Sequence, residues 1–243
     1  MGFNSNMANR EVCDLIFLDY ATKKPFLNLD YANMTTTELT GETMYAYGGK
    51  GHPKRIAFDG EKAGTLTIET QMQSFKLWEL LTGGETASTA KFYKRVEKVT
   101  ASDGAKITLE EAPIEGTVVV FKASDDCGAV LESTVAGKEV TLDAPLGSET
   151  AVVVYYMKEA TNVKALNVKS TTFPKDFVVY GDTVMKTEDG EVLPYRITAY
   201  KVHPQATMSL AFSNNGDPGA VTITCDLLAD ADNNILDLVL EEA

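Results

Sequence analysis

Histidine, cysteine and tryptophan are scarce in this chain, with two, three and one among 243 residues. Metal binding and nucleophilic catalysis draw heavily on the first two, so their placement is informative. Cys13, Cys127 and Cys225 lie far apart with no CxxC pair, which fits neither a zinc site nor a disulfide framework. Reduced thiols are expected, with Cys13 and Cys225 buried and inert inside alternating apolar runs. His52 falls in a glycine-rich loop and His203 precedes Pro204 at a strand end, and both read as solvent-facing or packing residues. No activated nucleophile, tuned acid and base or metal cluster can be assembled, so a non-enzyme without cofactor or metal is expected.

Long apolar runs are also missing. Nothing approaches the ~20 residues that span a bilayer, and the opening MGFNSNMANREVCD lacks the apolar core of a secretory signal. A protein made in the cytoplasm, with no membrane partner, is the expectation. Positive charge is thin: 22 Lys plus Arg against 35 Asp plus Glu give a formal charge of -13, which opposes tight capture of nucleic acid or an anionic bilayer. Between residues 202 and 243 there is no Lys or Arg, while Asp217, Asp226, Asp230, Asp232, Asp237, Glu241 and Glu242 are acidic. Two readings of that asymmetry stand together: a surface that repels nucleic-acid phosphates, and a merely solvated outer face.

What is abundant is Val, Ile, Thr, Tyr and Phe in short runs between turn signals, the pattern of a mainly β protein. Strands are expected over 12–18, 43–47, 64–70, 117–121, 139–142, 151–157, 177–179, 195–202, 206–212 and 220–225. One helix is expected over 73–83, where Phe75, Trp78 and Leu81 recur at helical spacing and glycines follow; its apolar face would cap the sheet. Residues 235–240 fit a terminal strand or a helical turn. Asp189-Gly190 marks a tight hairpin, and Pro194 predicts that the next strand lies at an edge or starts after it. Residues 214–218 form a second turn signal, joining 206–212 to 220–225.

The polar stretch 83–90 reads as a domain exit, after which strands of a few residues alternate with turns until about residue 163. That rhythm suits a small β-sandwich. The organisation expected is one discontinuous domain, 1–90 with 164–243, and an inserted sandwich over 91–163.

Two loops invite chemical readings. Gly48, Gly49, Lys50, Gly51, His52, Lys54 and Arg55 superficially suggest a phosphate cradle, but the GxxxxGK[ST] spacing is missing and no helix is expected after Arg55. The preferred reading is a loop that orders on assembly against a neighbour's carboxylates, beside the plainer one of a mobile hairpin tip. Residues 230–241 place oxygen side chains at the first, third, fifth and twelfth positions of a calcium-loop register, but Ile235 stands where glycine is required, so a solvated acidic turn is the better account.

The chain resembles the major tail tube proteins of long-tailed phages of Gram-positive bacteria. The likeness lies in Gly41-Glu-Thr-Met-Tyr-Ala-Tyr-Gly-Gly-Lys-Gly51, Ile56-Ala-Phe-Asp-Gly60, Gly64-Thr-Leu-Thr-Ile-Glu-Thr-Gln71 with the helix after it, Phe173-Pro-Lys-Asp-Phe177, Tyr195-Arg-Ile-Thr-Ala-Tyr-Lys201 and Asn215-Gly-Asp-Pro218, in that order. The resemblance implies a tail-tube-like β-barrel or sandwich with one packed helix, joined into six-fold rings that stack into a tube. It implies self-association, contact with other tail proteins, residence in the virion tail after synthesis in the host cytoplasm, and transient passage of DNA without sticking. Residues 48–55 would contact the next ring, and Asp217, Asp226, Asp230 and Asp232 are candidates for an acidic channel. The inserted module looks similar to the immunoglobulin-like additions of phage virions. The alternative is a virion-surface or extracellular carbohydrate-binding β-sandwich adhesin, which needs an aromatic-lined patch; the single tryptophan, Trp78, falls instead on the apolar face of the helix.

Overall fold

The computed structural model describes residues 6–210, 212, 214, 216 and 218–241. In chain order its elements begin with strands β1 (Met7–Ala8), β2 (Asp14–Asp19), β3 (Pro25–Leu29), β4 (Met34–Tyr47) and β5 (Lys54–Thr70), then helix α1 (Phe75–Thr82). Strands β6 (Glu85–Val99), β7 (Lys106–Thr108), β8 (Val119–Lys122), β9 (Ser133–Ala136) and β10 (Glu139–Leu142) follow. The chain ends with β11 (Ala151–Asn167), β12 (Phe177–Thr187), β13 (Val192–Pro204), β14 (Val221–Leu228) and β15 (Leu236–Leu240). Among the described residues the protein is mainly β with one α-helix, as its composition and turn spacing imply. It divides into two compact units, Met1–Glu85 with Leu166–Ala243, and Thr86–Ala165.

The first unit is a nine-stranded sheet of order β3-β2-β12-β13-β14-β5-β4, with β1 beside β12 and β15 beside β13. Period-two alternation builds its core. In β5, Gly64, Leu66, Ile68 and Thr70 point inward while Thr65, Thr67 and Glu69 point away, and Val221, Ile223, Cys225 and Leu227 repeat the pattern in β14. Leu15 and Phe17 of β2, Phe177 and Val179 of β12, and Leu77, Trp78, Leu80 and Leu81 of α1 complete one apolar cluster. The sheet curls until the Thr35 hydroxyl of β4 donates to the Cys13 carbonyl at 3.4 Å, just before β2. Inside that curl Gly181 has no room for a side chain, because a Cβ there would lie 2.5 Å from Cys13 Sγ and 3.2 Å from Leu15 Cδ2.

Helix α1 is bounded by local chemistry. The Ser74 hydroxyl accepts from the Leu77 N–H at 3.1 Å, and Gly83, at φ 64°, donates its N–H to the Glu79 carbonyl at 2.9 Å. Phe75, expected on the buried stripe, is exposed instead, since the buried arc runs through Leu77, Trp78, Leu80 and Leu81 and leaves the first residue at its margin.

In the second unit, sheets β7-β10-β9 and β6-β11-β8 share a core of Ile107, Val120, Val140, Val152, Val154 and Tyr156, among others. Lys94, Lys98 and Lys158 hold Glu110 and Glu111 at its surface.

Several expected boundaries move. Residues 206–210 form no strand: the β13–β14 ladder ends with Pro204 opposite Cys225 and a last bond from the Gln205 N–H to the Thr224 carbonyl, and residue 211 lies outside the described residues. Residues 215 and 217 of the expected turn lie outside the described residues. Pro194 neither starts nor edges its strand; β13 begins at Val192 and lies centrally, between β12 and the β14–β15 side. Pro194 pairs with Val184 of β12, and on its other side its carbonyl accepts from the Glu241 N–H just past the end of β15. Residues 85–90 are strand rather than a polar connection, β11 continues to Asn167, and 236–240 is the terminal strand. Strand β3, which contributes the fully buried Leu29, leaves little signal in the sequence, because its run of alternation is short and opens on Pro25.

Candidate functional site

The ladder of β4 with β5 continues well past the core. Residues 38–47 and 54–63 are exposed almost throughout, and ten residues at ~3.3 Å each carry the ribbon roughly 30 Å beyond its buried root. Met44 pairs with Phe58 and Ala46 with Ile56, so one face of the ribbon is apolar towards its tip. On the other, Tyr45 pairs with Ala57 and Thr43 with Asp59, and Lys54 Nζ stands 3.7 Å over the Tyr45 ring. The free edge of β4, MTTTELTGETMYAY, contains no Lys, Arg or Pro to discourage pairing.

The tip of this ribbon gathers the glycine-rich residues singled out in the sequence. Gly48 donates its N–H to the Pro53 carbonyl at 3.3 Å, and Gly49 and Gly51 adopt φ of 86° and 84°, which glycine tolerates. His52, at φ 47°, donates its N–H to the Gly49 carbonyl at 3.3 Å, and Lys50 is exposed. Lys54 and Arg55, expected in the loop, are instead the first residues of β5, because the turn closes at Pro53 and Lys54 then pairs with Tyr47. Arg55 Nε donates back to the Gly48 carbonyl at 3.3 Å. None of the ion pairs among the described residues uses Lys50, Lys54 or Arg55.

The four acidic candidates have different fates. Asp226 projects from β14 away from the core and accepts from Gln205 Nε2 at 2.9 Å. Asp230 accepts from the N–H groups of Asp232 and Asn234, and the Asn234 bond above all holds its carboxyl below the usual range. Its carboxylate thereby stabilises the turn between β14 and β15. Asp232 is exposed in that turn, and Asp217 lies outside the described residues. Among the described residues no three His, Cys, Asp or Glu side chains are arranged to hold a metal.

A second acidic surface was not visible in the sequence. On the outer face of the first unit, an open groove of about 720 Å³ is lined by Asp14, Asp30 and Asp182 with Ile16, Tyr180 and Val239. Its residues come from separate parts of the chain, and only the strand order places them side by side. Asp14 and Asp182 are direct cross-strand partners, and Arg196, the other neighbour of Asp182, directs its guanidinium to Glu241 at 3.0 Å.

His203 is not merely packed. Its Nδ1 lies 2.7 Å from Asp176 Oδ1, and Lys201 Nζ lies 3.3 Å from Oδ2. Partial burial pushes the Asp176 carboxyl up, but the bonds from His203 and Lys201 outweigh it and leave the group below its ordinary value. Burial raises the Cys13 thiol to about 11 and Cys225 to about 12, so neither reacts near neutrality, while Cys127 is exposed. Trp78 is buried, and no helix among the described residues is long and apolar enough to cross a membrane.

The sequence model of the YomU/Tube protein family matches residues 10–239. The chain belongs to the YomU/Tube protein family. Membership bears out the resemblance to phage tail tube proteins and gives the chain a structural role in a tail tube, as a component of the virion tail that assembles with itself and with other tail proteins. No curated protein matches. The match runs through both units, so the YomU/Tube assignment includes the ribbon, its tip and the groove.

Proposed function

We propose that this YomU/Tube protein closes into six-fold rings that stack into a tube, with an acidic channel through which DNA passes without sticking. The observation that supports this reading most is the β4–β5 ribbon. A two-stranded ribbon with one uncovered apolar face is marginal in water, and its open edge invites pairing. A second copy that covers the face and pairs the edge removes both liabilities. Each ring joins one edge to a different edge, the head-to-tail contact that closes when the rotation between copies is an integer fraction of a turn. The tip, residues 48–55, reaches the adjacent ring in this arrangement. Asp226, Asp230 and Asp232 contribute to the channel wall, with Asp217 as a sequence candidate beside them.

A weakly repelling wall suits a conduit, because duplex DNA bears a charge about every 1.7 Å and would condense on a basic lining. The second unit is an inserted immunoglobulin-like module in this reading; its two sheets around one core are compatible with that class. Synthesis takes place in the host cytoplasm. The protein is structural rather than enzymatic.

Copies of net charge -13 repel one another, so rings should form more readily as salt rises towards physiological strength, where the screening length is ~8 Å. Light scattering against salt, with a reconstruction of the channel, tests this. Assembly that weakens steadily with salt, or a wall dominated by Lys and Arg, overturns the account of DNA passage.

A further inference from the structure

We propose that the outer sheet face floored by Ile16, Tyr180 and Val239 receives the tip of the β4–β5 ribbon from a second copy of the chain, an inference that rests on the self-assembly reading above. The floor is unpartnered sheet surface with three half-exposed apolar side chains. Its rim is anionic: among the described residues Asp14, Asp30 and Asp182 form no ion pair, and the one guanidinium lining the groove, that of Arg196, is directed to Glu241. Two of those carboxylates face each other across the ladder, an arrangement that is unfavourable until a cation is brought between them.

The tip has the complementary make-up. Lys50, Lys54 and Arg55 are cationic and take part in no ion pair among the described residues, residues 48–55 contain no carboxylate, and Tyr47 and Ile56 beside them are apolar and exposed. The ribbon's length lets the tip leave its own core by roughly 30 Å, about the width of a small domain, and so meet another copy. The groove of about 720 Å³ is open to solvent, as entry of a hairpin tip requires. Docking excludes water from the charges, so these short contacts are screened far less than the long-range repulsion between copies.

The test uses the full chain in three forms beside the natural one: Lys54→Glu with Arg55→Glu, Asp14→Lys with Asp182→Lys, and all four together. Each double variant is expected to raise the concentration at which assembly begins by about tenfold or more, equivalent to about 1.4 kcal/mol, and the fourfold variant to recover most of that loss. Thermal unfolding of the unassembled proteins checks that each folds. Independently, His52→Cys with Asn28→Cys in a Cys127→Ser background should give a disulfide between copies in assembled samples and none in dilute ones. Double variants that assemble like the natural chain, or a fourfold variant without recovery and a cysteine pair without cross-link, overturn the groove while leaving the tube reading intact. A natural chain that never assembles overturns the tube reading itself, and the groove with it.

Discussion

Met44 and Phe58 face each other across the β4–β5 ladder, 61% and 53% exposed among the described residues. Replacing both by serine should barely alter the monomer, since exposed positions of this kind usually shift stability by no more than about 0.5 kcal/mol. If they are covered on assembly, each removes up to roughly 1.5–3 kcal/mol of burial, and the onset concentration should rise by well over about tenfold. Sedimentation of the two proteins over a concentration series, with their melting curves, measures both quantities. Unchanged assembly would remove the ribbon from the interface.

The approach of Cys13 to Gly181 makes a prediction about the interior. Gly181→Ala should destabilise the fold by about 1–3 kcal/mol, the usual cost of overpacking, because the new methyl group meets Cys13 Sγ at 2.5 Å. Cys13→Ala in the same chain should return part of that loss. Chemical denaturation of the two single variants and the double variant gives the coupling directly.

Thiol chemistry should divide the three cysteines. In the native state a water-soluble maleimide is expected to modify Cys127 alone, because burial raises Cys13 to about 11 and Cys225 to about 12. All three should react after denaturation. Mass spectrometry of the labelled protein counts the adducts, and native labelling of Cys225 would contradict its place in the core.

Acid should weaken the link between β13 and the start of β12. The Asp176 carboxyl lies below its ordinary value in the folded state, so its stabilising contribution is present above the unfolded value near ~3.9 and fades as pH falls through the lower folded value. Asp176→Asn should therefore be less stable than the natural chain at neutral pH, with the difference shrinking below about pH 4. Melting temperatures of both proteins across that range show the convergence, or its absence.

Much of this fold is legible where one side of a strand is buried. Glu139–Leu142 and the second half of β5 announce themselves by alternation, and Gly83 marks the end of α1. The first half of β5 does not, because both faces of the ribbon meet solvent and Asp59, Glu61 and Lys62 erase any period. The glycine-rich tip is visible as composition, but its position at the end of a long ribbon depends on that unreadable half. The groove is harder still: Asp14, Asp30 and Asp182 are ordinary polar positions until β2 is placed between β3 and β12, a neighbour relation spanning most of the chain. Burial of one sheet face leaves a local periodic signal, whereas assembly surfaces depend on strand order and on exposed residues that leave none.

The most direct test of the central claim is electron microscopy of the purified full chain at high concentration and near-physiological salt. The account predicts rings of six-fold symmetry stacked into an open tube, with the β4–β5 ribbon of each copy seated against a neighbour and carboxylates prevailing along the channel. Dispersed monomers at every concentration and salt would contradict it, as would closed assemblies in which the apolar face of the ribbon stays exposed.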